Sequence, residues 1–278
     1  MRHSRTARFS PPRPQPRLDP ATPPVAMSAA MTDSPEKPAR KPRKTADKEA
    51  PAPAQPLRRR ILRWTGRIAG GIAAFYLLLI LLFSFLPPPI NFYQLGETFR
   101  LGGIEKDWVP FEEIAPVMAR SAVAAEDANY CLHWGFDMKA IREAMAEGSN
   151  RGASTISQQT VKNVFLWHGR SWLRKAMEAA LTPVVETLWS KRRILEVYLN
   201  VAEFGEGVFG VQAAAQHHFG VDARDLTPTQ AARLAAVLPD PQNRSASNPS
   251  NFVRSRTRSI MSGAETIAAD GRAACFSE

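Results

Sequence analysis

The sequence predicts a mostly α-helical protein: a single N-terminal transmembrane helix followed by a helical domain. Three observations carry this reading. Nineteen consecutive residues, Ile68 to Leu86, hold no charge and follow five arginines. Beyond Asp107, apolar residues recur at three- and four-residue spacing, the period of a helix with one buried face. Strand-like alternation is short and scarce.

Residues 1–63 read as a disordered, basic cytoplasmic tail. Residues 1–57 hold 13 of the 23 prolines and few aliphatic or aromatic side chains, so they bury too little apolar area to offset the entropy of ordering. Met27 and Met31 lie within this tail, and the segment from Met31 looks as much like a start as the one from Met1. Residues 66–88 read as the anchor. At 1.5 Å per residue the uncharged run covers about 28 Å, close to the roughly 30 Å of a bilayer's hydrocarbon. Leu86 is followed by three prolines rather than a small-residue cleavage site, which favours an uncleaved anchor over a signal peptide. Arg58, Arg59, Arg60, Arg63 and Arg67 precede the span and no charge comes after it until Glu97. The positive-inside bias then leaves the N-terminus in the cytoplasm and exports the chain beyond the span.

In the exported part, Ile114, Val117, Met118, Ala122 and Ala125 form a stripe running to Glu126. Asp137 is placed to cap a helix through Met145 closed by Gly148, and Ser154 or Thr155 to start another through Leu166. Gly152 permits a tight turn before it. Further helices are expected over 172–189, 191–201, 211–219 and from Pro228 to Leu238, with GEGVFG as a break. Residues 251–278 are less periodic and are set apart as a C-terminal tail, leaving a domain over about residues 90–250.

Charge narrows the function. The chain carries a formal +10, yet residues 1–63 hold 15 Lys or Arg against five Asp or Glu, so the remainder balances. A nucleic-acid-binding domain would spread basic residues over its folded surface, so no nucleic-acid partner is expected. Two cysteines exclude a disulfide-built miniprotein and a cysteine-only zinc module. Cys131 and Cys275 would meet an oxidising compartment and could pair there, but the sequence gives no distance between them. His217-His218 diverge on a helix, and HExxH, CxxC, GxSxG and phosphate-loop motifs are absent, so no protein-built metal site is expected.

Candidate chemistry begins in EDANYCLHWGFD, where Glu126 and Asp127 end an apolar stripe with Tyr130 and His133 just beyond. A helix C-terminus and apolar neighbours both favour a proton on Glu126, the tuning a general base needs; a solvated pair closing an ordinary helix has the same spacing. In GASTISQQTVKN, Thr155, Gln159, Lys162 and Asn163 share a helical face suited to sugar or phosphate. Arg174 and Glu178 are four apart with Lys175 beside them, either a surface ion pair or, in a cleft, a phosphate site. KRRILEVYLN sets Glu196 and Asn200 on one face and Tyr198 on another.

In order, EDANYCLHWG, GASTISQQTVKN, RKAME and KRRILEVYLN resemble the successive motifs of the peptidoglycan glycosyltransferases, which polymerise lipid II. GEGVFGVQAAAQHHFG and LTPTQAARLAAVLPDPQ extend the likeness. No transpeptidase-like segment comes after them, so the resemblance is to monofunctional members. Tyr130 stands where the family usually has Phe, and His218 where Tyr is common.

The resemblance implies a lysozyme-like helical head with a smaller membrane-proximal jaw, and inverting transfer from a growing undecaprenyl-diphosphate glycan to lipid II. Glu126 would be the base, Lys162 and Arg174 would hold the leaving diphosphate, and Glu178 would orient Arg174 or a divalent cation. Asp127, Thr155, Gln159 and Asn163 would line the cleft, supported by Tyr130, His133, Ser154 and Tyr198. No cofactor is obligatory in this reading, with Mg or Mn at the diphosphate as an optional cation. The expected partners are lipid II, the growing glycan, the bacterial inner membrane, and cell-wall synthesis or division proteins. Two rival classes stand beside it. A lysozyme-like hydrolase would explain Glu126 but not Lys162 and Arg174; a non-enzymatic scaffold would tolerate replacement of the motif glutamates.

Overall fold

The computed structural model describes residues 57–146, 154–169 and 171–277. The expectations for the proline-rich tail before Leu57, for the start methionines, and for Gly148 and Gly152 lie outside them.

The first helix, α1 (Leu57–Phe83), has 27 residues, about 40 Å of helix. Its most apolar 18-residue window has mean hydropathy 2.0 and is almost wholly exposed, so by length and composition the helix can cross a membrane. Residues 57–63, assigned from sequence to the tail, are its first turns: no proline or glycine separates Leu57 from Gly66, and arginine is a good helix former. Only Ile80 and Phe83 are buried. Carbonyls at and just beyond the end of α1 bond to the rest of the domain. Trp189 Nε1 donates to Ile80 O at 2.8 Å, and the Arg193 guanidinium donates to Phe83 O at 3.0 Å and Leu86 O at 2.7 Å. These bonds satisfy groups a helix end leaves open and fix the membrane helix on the domain.

Three helices escaped the sequence reading. Helix α2 (Phe92–Leu101) starts at a capping box, Asn91 with Gln94, and ends at Gly102 with φ +76°. Its apolar residues Phe92, Leu95 and Phe99 face outward, so it is amphipathic without joining the core. The second is α10 (Asn251–Ala269), followed by α11 (Ala274–Ser277). The segment set apart as a tail is therefore helical and packed: Val253, Thr257, Ile260, Ala264 and Ile267 are buried at four- and three-residue spacing.

The remaining helices match the expected pattern: α3 (Pro116–Glu126), α4 (Met138–Ala146), α5 (Ile156–Phe165), α6 (Trp172–Leu188), α7 (Lys191–Val201), α8 (Val211–Phe219) and α9 (Pro228–Val237). Asp137 Oδ1 accepts from Ala140 N at 2.9 Å and Thr155 and Thr227 form capping boxes, as their positions suggested. Helices α3, α9 and α10 pack together, and α5 packs between α6 and α7. Helix α7 is the central post: Ile194, Leu195, Val197, Tyr198 and Leu199 are at most 1% exposed, each such burial being worth about 1.5–3 kcal/mol.

A three-stranded sheet, order β1-β3-β2, closes one side. Here β1 (Glu105–Lys106) runs parallel to β3 (Val208–Phe209), and β2 (Glu203–Gly205) antiparallel to it. Gly210 joins the sheet to α8 at φ +88°, and a Cβ there would lie 2.9 Å from Asn200 O. Asn200 itself is structural, pairing both ways with the Val109 backbone at 2.9 Å.

Candidate active site

Glu126 is the last residue of α3, and its side chain is only 13% exposed. Gln159, from the facing side of α5, donates its Nε2 to Glu126 Oε2 at 3.0 Å. From α10, the Arg256 guanidinium stands 3.9 Å from Glu126 Oε1 and donates to Ala125 O at 3.1 Å. Burial pushes the Glu126 carboxyl above its ordinary range; Gln159, Arg256 and Lys162 pull it back, and Asp127 adds to the rise. The result is a carboxylate with a weakened hold on its charge, suited to accepting a proton. Behind Gln159, the Tyr198 hydroxyl donates to Gln159 Oε1 at 3.4 Å. Burial first, and then the charges of Glu126 and Asp127, hold the Tyr198 phenol protonated.

The neighbouring carboxylate has different work. Asp127 is buried; its Oδ2 accepts from Ile156 N, the first amide of α5, at 3.0 Å, and its Oδ1 is 2.8 Å from His133 Nε2. An anion at a helix N-terminus is favoured by the unpaired amides there. Thr155 is buried as well, its Oγ1 accepting from Gln158 N and donating to Gly135 O at 2.7 Å. Gly135 has φ +82°, and a Cβ on it would meet Thr182 at 2.7 Å. Tyr130 is fully buried beneath the Lys191 ammonium and donates to Lys191 O at 2.8 Å. So Asp127, Thr155, Tyr130 and His133 stitch the corner after α3 to α5 and α7. Thr155 departs from the expected polar face: Gln159, Lys162 and Asn163 are partly open, whereas its hydroxyl is spent as a cap.

A cationic group lies one turn along α5. Lys162 and Asn163 line a hollow with Gln159, Tyr198, Tyr93 and His168. Burial pulls the Lys162 ammonium down from its ordinary range, Arg174 and Lys175 add to this, and Glu178 and Glu126 oppose it. Glu178 is buried on α6 between two cations: Arg174 Nη1 reaches its Oε2 at 3.4 Å, and Lys175 Nζ bonds its Oε1. Lys175 also reaches Ser154 Oγ at 3.4 Å. Lys162 adds a third positive charge within electrostatic reach of this one buried carboxylate, leaving positive charge for an anionic ligand. Both Glu178 oxygens accept from cations, so this residue orients Arg174 and Lys175. Among the described residues no three His, Cys, Asp or Glu converge on a common point.

Sequence reasoning missed Arg256 and Arg244. Both line the hollow beside Glu126, with Gln159, Pro239 and Phe252. Nothing local distinguishes Arg256 from Arg254 or Arg258; the period of Val253, Ile260, Ala264 and Ile267 was the signal that could have revealed its helix.

The chain is similar to known proteins. A family model described as Transglycosylase matches residues 94–265. A biosynthetic peptidoglycan transglycosylase of Jannaschia sp. (strain CCS1) is 62% identical over 223 residues, covering 80% of this chain and 93% of the relative. Proteins of the same description from Salmonella enteritidis PT4 and Xanthomonas oryzae pv. oryzae are 49% and 46% identical, over 76% and 80% of this chain and 90% and 94% of their own lengths.

Proposed function

The chain belongs to the transglycosylase family and is a peptidoglycan glycosyltransferase, and on that premise we propose that it polymerises lipid II with Glu126 as the base and Lys162 and Arg174 as the diphosphate site. Glu126 takes the proton of the 4-hydroxyl of the lipid II N-acetylglucosamine. The freed oxygen attacks the anomeric carbon of the growing glycan from the face opposite its diphosphate. A β-1,4 bond forms, the bond to the diphosphate breaks, and undecaprenyl diphosphate leaves carrying the electron pair.

One observation carries this reading: successive turns of α5 meet a desolvated carboxylate on α3 and a group of cations shared with α6. Gln159 touches Glu126, and Lys162, three residues on, shares its charge environment with Arg174 and Glu178. Negative charge grows on the leaving group in the transition state, and fixed cations aimed at it are most effective there. A divalent cation at the diphosphate would be held by the substrate's own oxygens. Gln159 and Tyr198 orient the base, while Asp127, Thr155, Tyr130 and His133 hold the corner that carries it.

The membrane serves this chemistry, because both substrates are lipids. Helix α1 is the anchor, and the outward Phe92, Leu95 and Phe99 of α2 suit the acyl boundary. The arginines before Ile68 and the Cys131–Cys275 disulfide support an inner-membrane protein with a cytoplasmic N-terminus and a periplasmic domain. The test is Glu126→Gln in the full-length protein with labelled lipid II. Polymer and released undecaprenyl diphosphate should fall by about two to four orders of magnitude while lipid II still binds; near-normal turnover would reject Glu126 as the base.

A further inference from the structure

Cys131 and Cys275 are joined across 144 residues of sequence, with Cα atoms 5.6 Å apart. Between Glu126 and α4 the chain has only a three-residue 3-10 turn, Tyr130–Leu132. Cys131 is its middle residue, five positions after the base. Few regular hydrogen bonds hold this stretch: Tyr130 N donates to Asp127 O at 3.0 Å and Leu132 N to Asn129 O at 2.7 Å. Side chains add to these: Tyr130 is its buried anchor, Asn129 Nδ2 donates to Asp137 Oδ2 at 2.8 Å and Arg272 donates to Ala128 O at 2.9 Å, and the disulfide is the covalent tie at Cys131.

Cys275 lies in α11, whose own fixation is firm. Phe276 is 2% exposed and its ring lies 6.3 Å from that of Tyr130. Arg192 of α7 donates to Phe276 O at 3.4 Å. Tyr130 donates to the backbone of Lys191, at the start of the same helix. The disulfide therefore ties the turn to a helix that rests on α7, the buried post of the domain.

We propose that the Cys131–Cys275 disulfide is a positioning device for the base. It holds the Tyr130–Leu132 turn down, which keeps His133 against Asp127, Asp127 against the first amide of α5, and so Glu126 within reach of Gln159. The inference rests on Glu126 acting as base. The bond forms by thiol–disulfide exchange with a disulfide-bearing oxidant: the two thiols give up two protons and two electrons, and the oxidant's disulfide becomes two thiols. Cys131 and Cys275 are both partly exposed.

The experiment uses full-length protein in detergent micelles, in four forms: oxidised, reduced with a phosphine, reduced and then re-oxidised with oxidised glutathione, and the Cys131→Ser/Cys275→Ser double variant. Initial rates across lipid II concentrations and the thermal unfolding midpoint are measured for each, the rates well below every midpoint. Reduction and the double variant should lower kcat about tenfold, since small misplacements of reacting groups cost heavily. KM should stay within about twofold, and re-oxidation should restore kcat. A lowered midpoint with unchanged kcat would mean that the bond only staples α11, and would overturn the proposal. Glu126→Gln is measured alongside: if it stays active the base assignment fails, whereas an inactive Glu126→Gln with redox-insensitive kcat rejects the positioning role alone.

Discussion

The Tyr198 hydroxyl donates to Gln159 Oε1 at 3.4 Å, on the opposite end of the amide from the nitrogen that meets the carboxylate of Glu126. A phenol held protonated by burial can donate to the amide oxygen, and the amide nitrogen then has only Glu126 to serve. An ionised carboxylate accepts and does not donate, so the arrangement favours the charged form of the base. Tyr198→Phe should leave the fold intact and lower kcat several-fold with little change in KM. An unchanged kcat in steady-state polymerisation would show that the amide is held by other means.

The pH dependence arises from the same contact. The groups facing Glu126 are Gln159 and Lys162 on α5, Arg256 on α10 and the adjacent Asp127. Gln159 lowers the Glu126 pKa, so its loss raises it, and the base must be deprotonated to work. In Gln159→Ala the acidic limb of kcat/KM should therefore move to higher pH. Arg256→Ala should shift it the same way and by less, because Arg256 stands 3.9 Å away without a direct hydrogen bond to the carboxylate. A limb that stays in place in both variants would contradict this description of the site.

The cations should separate by geometry. Lys162→Ala and Arg174→Ala should each lower kcat more than they raise KM, since their charge acts on a leaving group that becomes more negative as the bond breaks. Arg174→Lys should recover only part of the rate, because an ammonium cannot form the two parallel bonds of a guanidinium. Glu178→Gln leaves Arg174 and Lys175 without their shared anion and should lower the rate although it adds relative positive charge. Full rescue by Arg174→Lys would show that charge alone suffices there.

Asp127 should behave as a scaffold. Asp127→Ala leaves the Ile156 amide and His133 without a buried acceptor, a loss of about 1–3 kcal/mol for each unpaired group. The unfolding midpoint should drop by several degrees, visible by circular dichroism of the micellar protein, and activity should fall with it. Wild-type stability would mean that water replaces the carboxylate.

Much of the fold was legible in the sequence. The starts of α4, α5 and α9 were readable because Asp137, Thr155 and Thr227 cap them locally. The long apolar run marked α1, and helical spacing alone paired Arg174 with Glu178. What the chain hid is long-range or outward-facing. Helix α2 turns Phe92, Leu95 and Phe99 away from the core, so its stripe signals no burial. Arg256 reaches Glu126 only because α10 packs on α3, 130 residues away in sequence. Thr155 reads in sequence both as a cap and as part of a polar face, and in the fold its hydroxyl caps α5 while the residue lines a hollow beside Glu126.

The orientation of the anchor has its own test. A reporter active only outside the cytoplasm, fused after Glu278, should be active; silence from a stably expressed fusion would reverse the topology.

The central claim is that this cleft transfers glycan from a lipid diphosphate and does not cut it. In the proposed reaction the diphosphate leaves as an anion held by Lys162 and Arg174, whereas a glycosidic oxygen would need an acid to protonate it, a role closed to Glu126 if it serves as an ionised base. The direct measurement gives purified full-length protein labelled lipid II in one reaction and lipid-free glycan strands in another. Polymer and undecaprenyl diphosphate are expected from the first and intact strands in the second; steady cutting of the lipid-free strands with no consumption of lipid II would show a hydrolase instead.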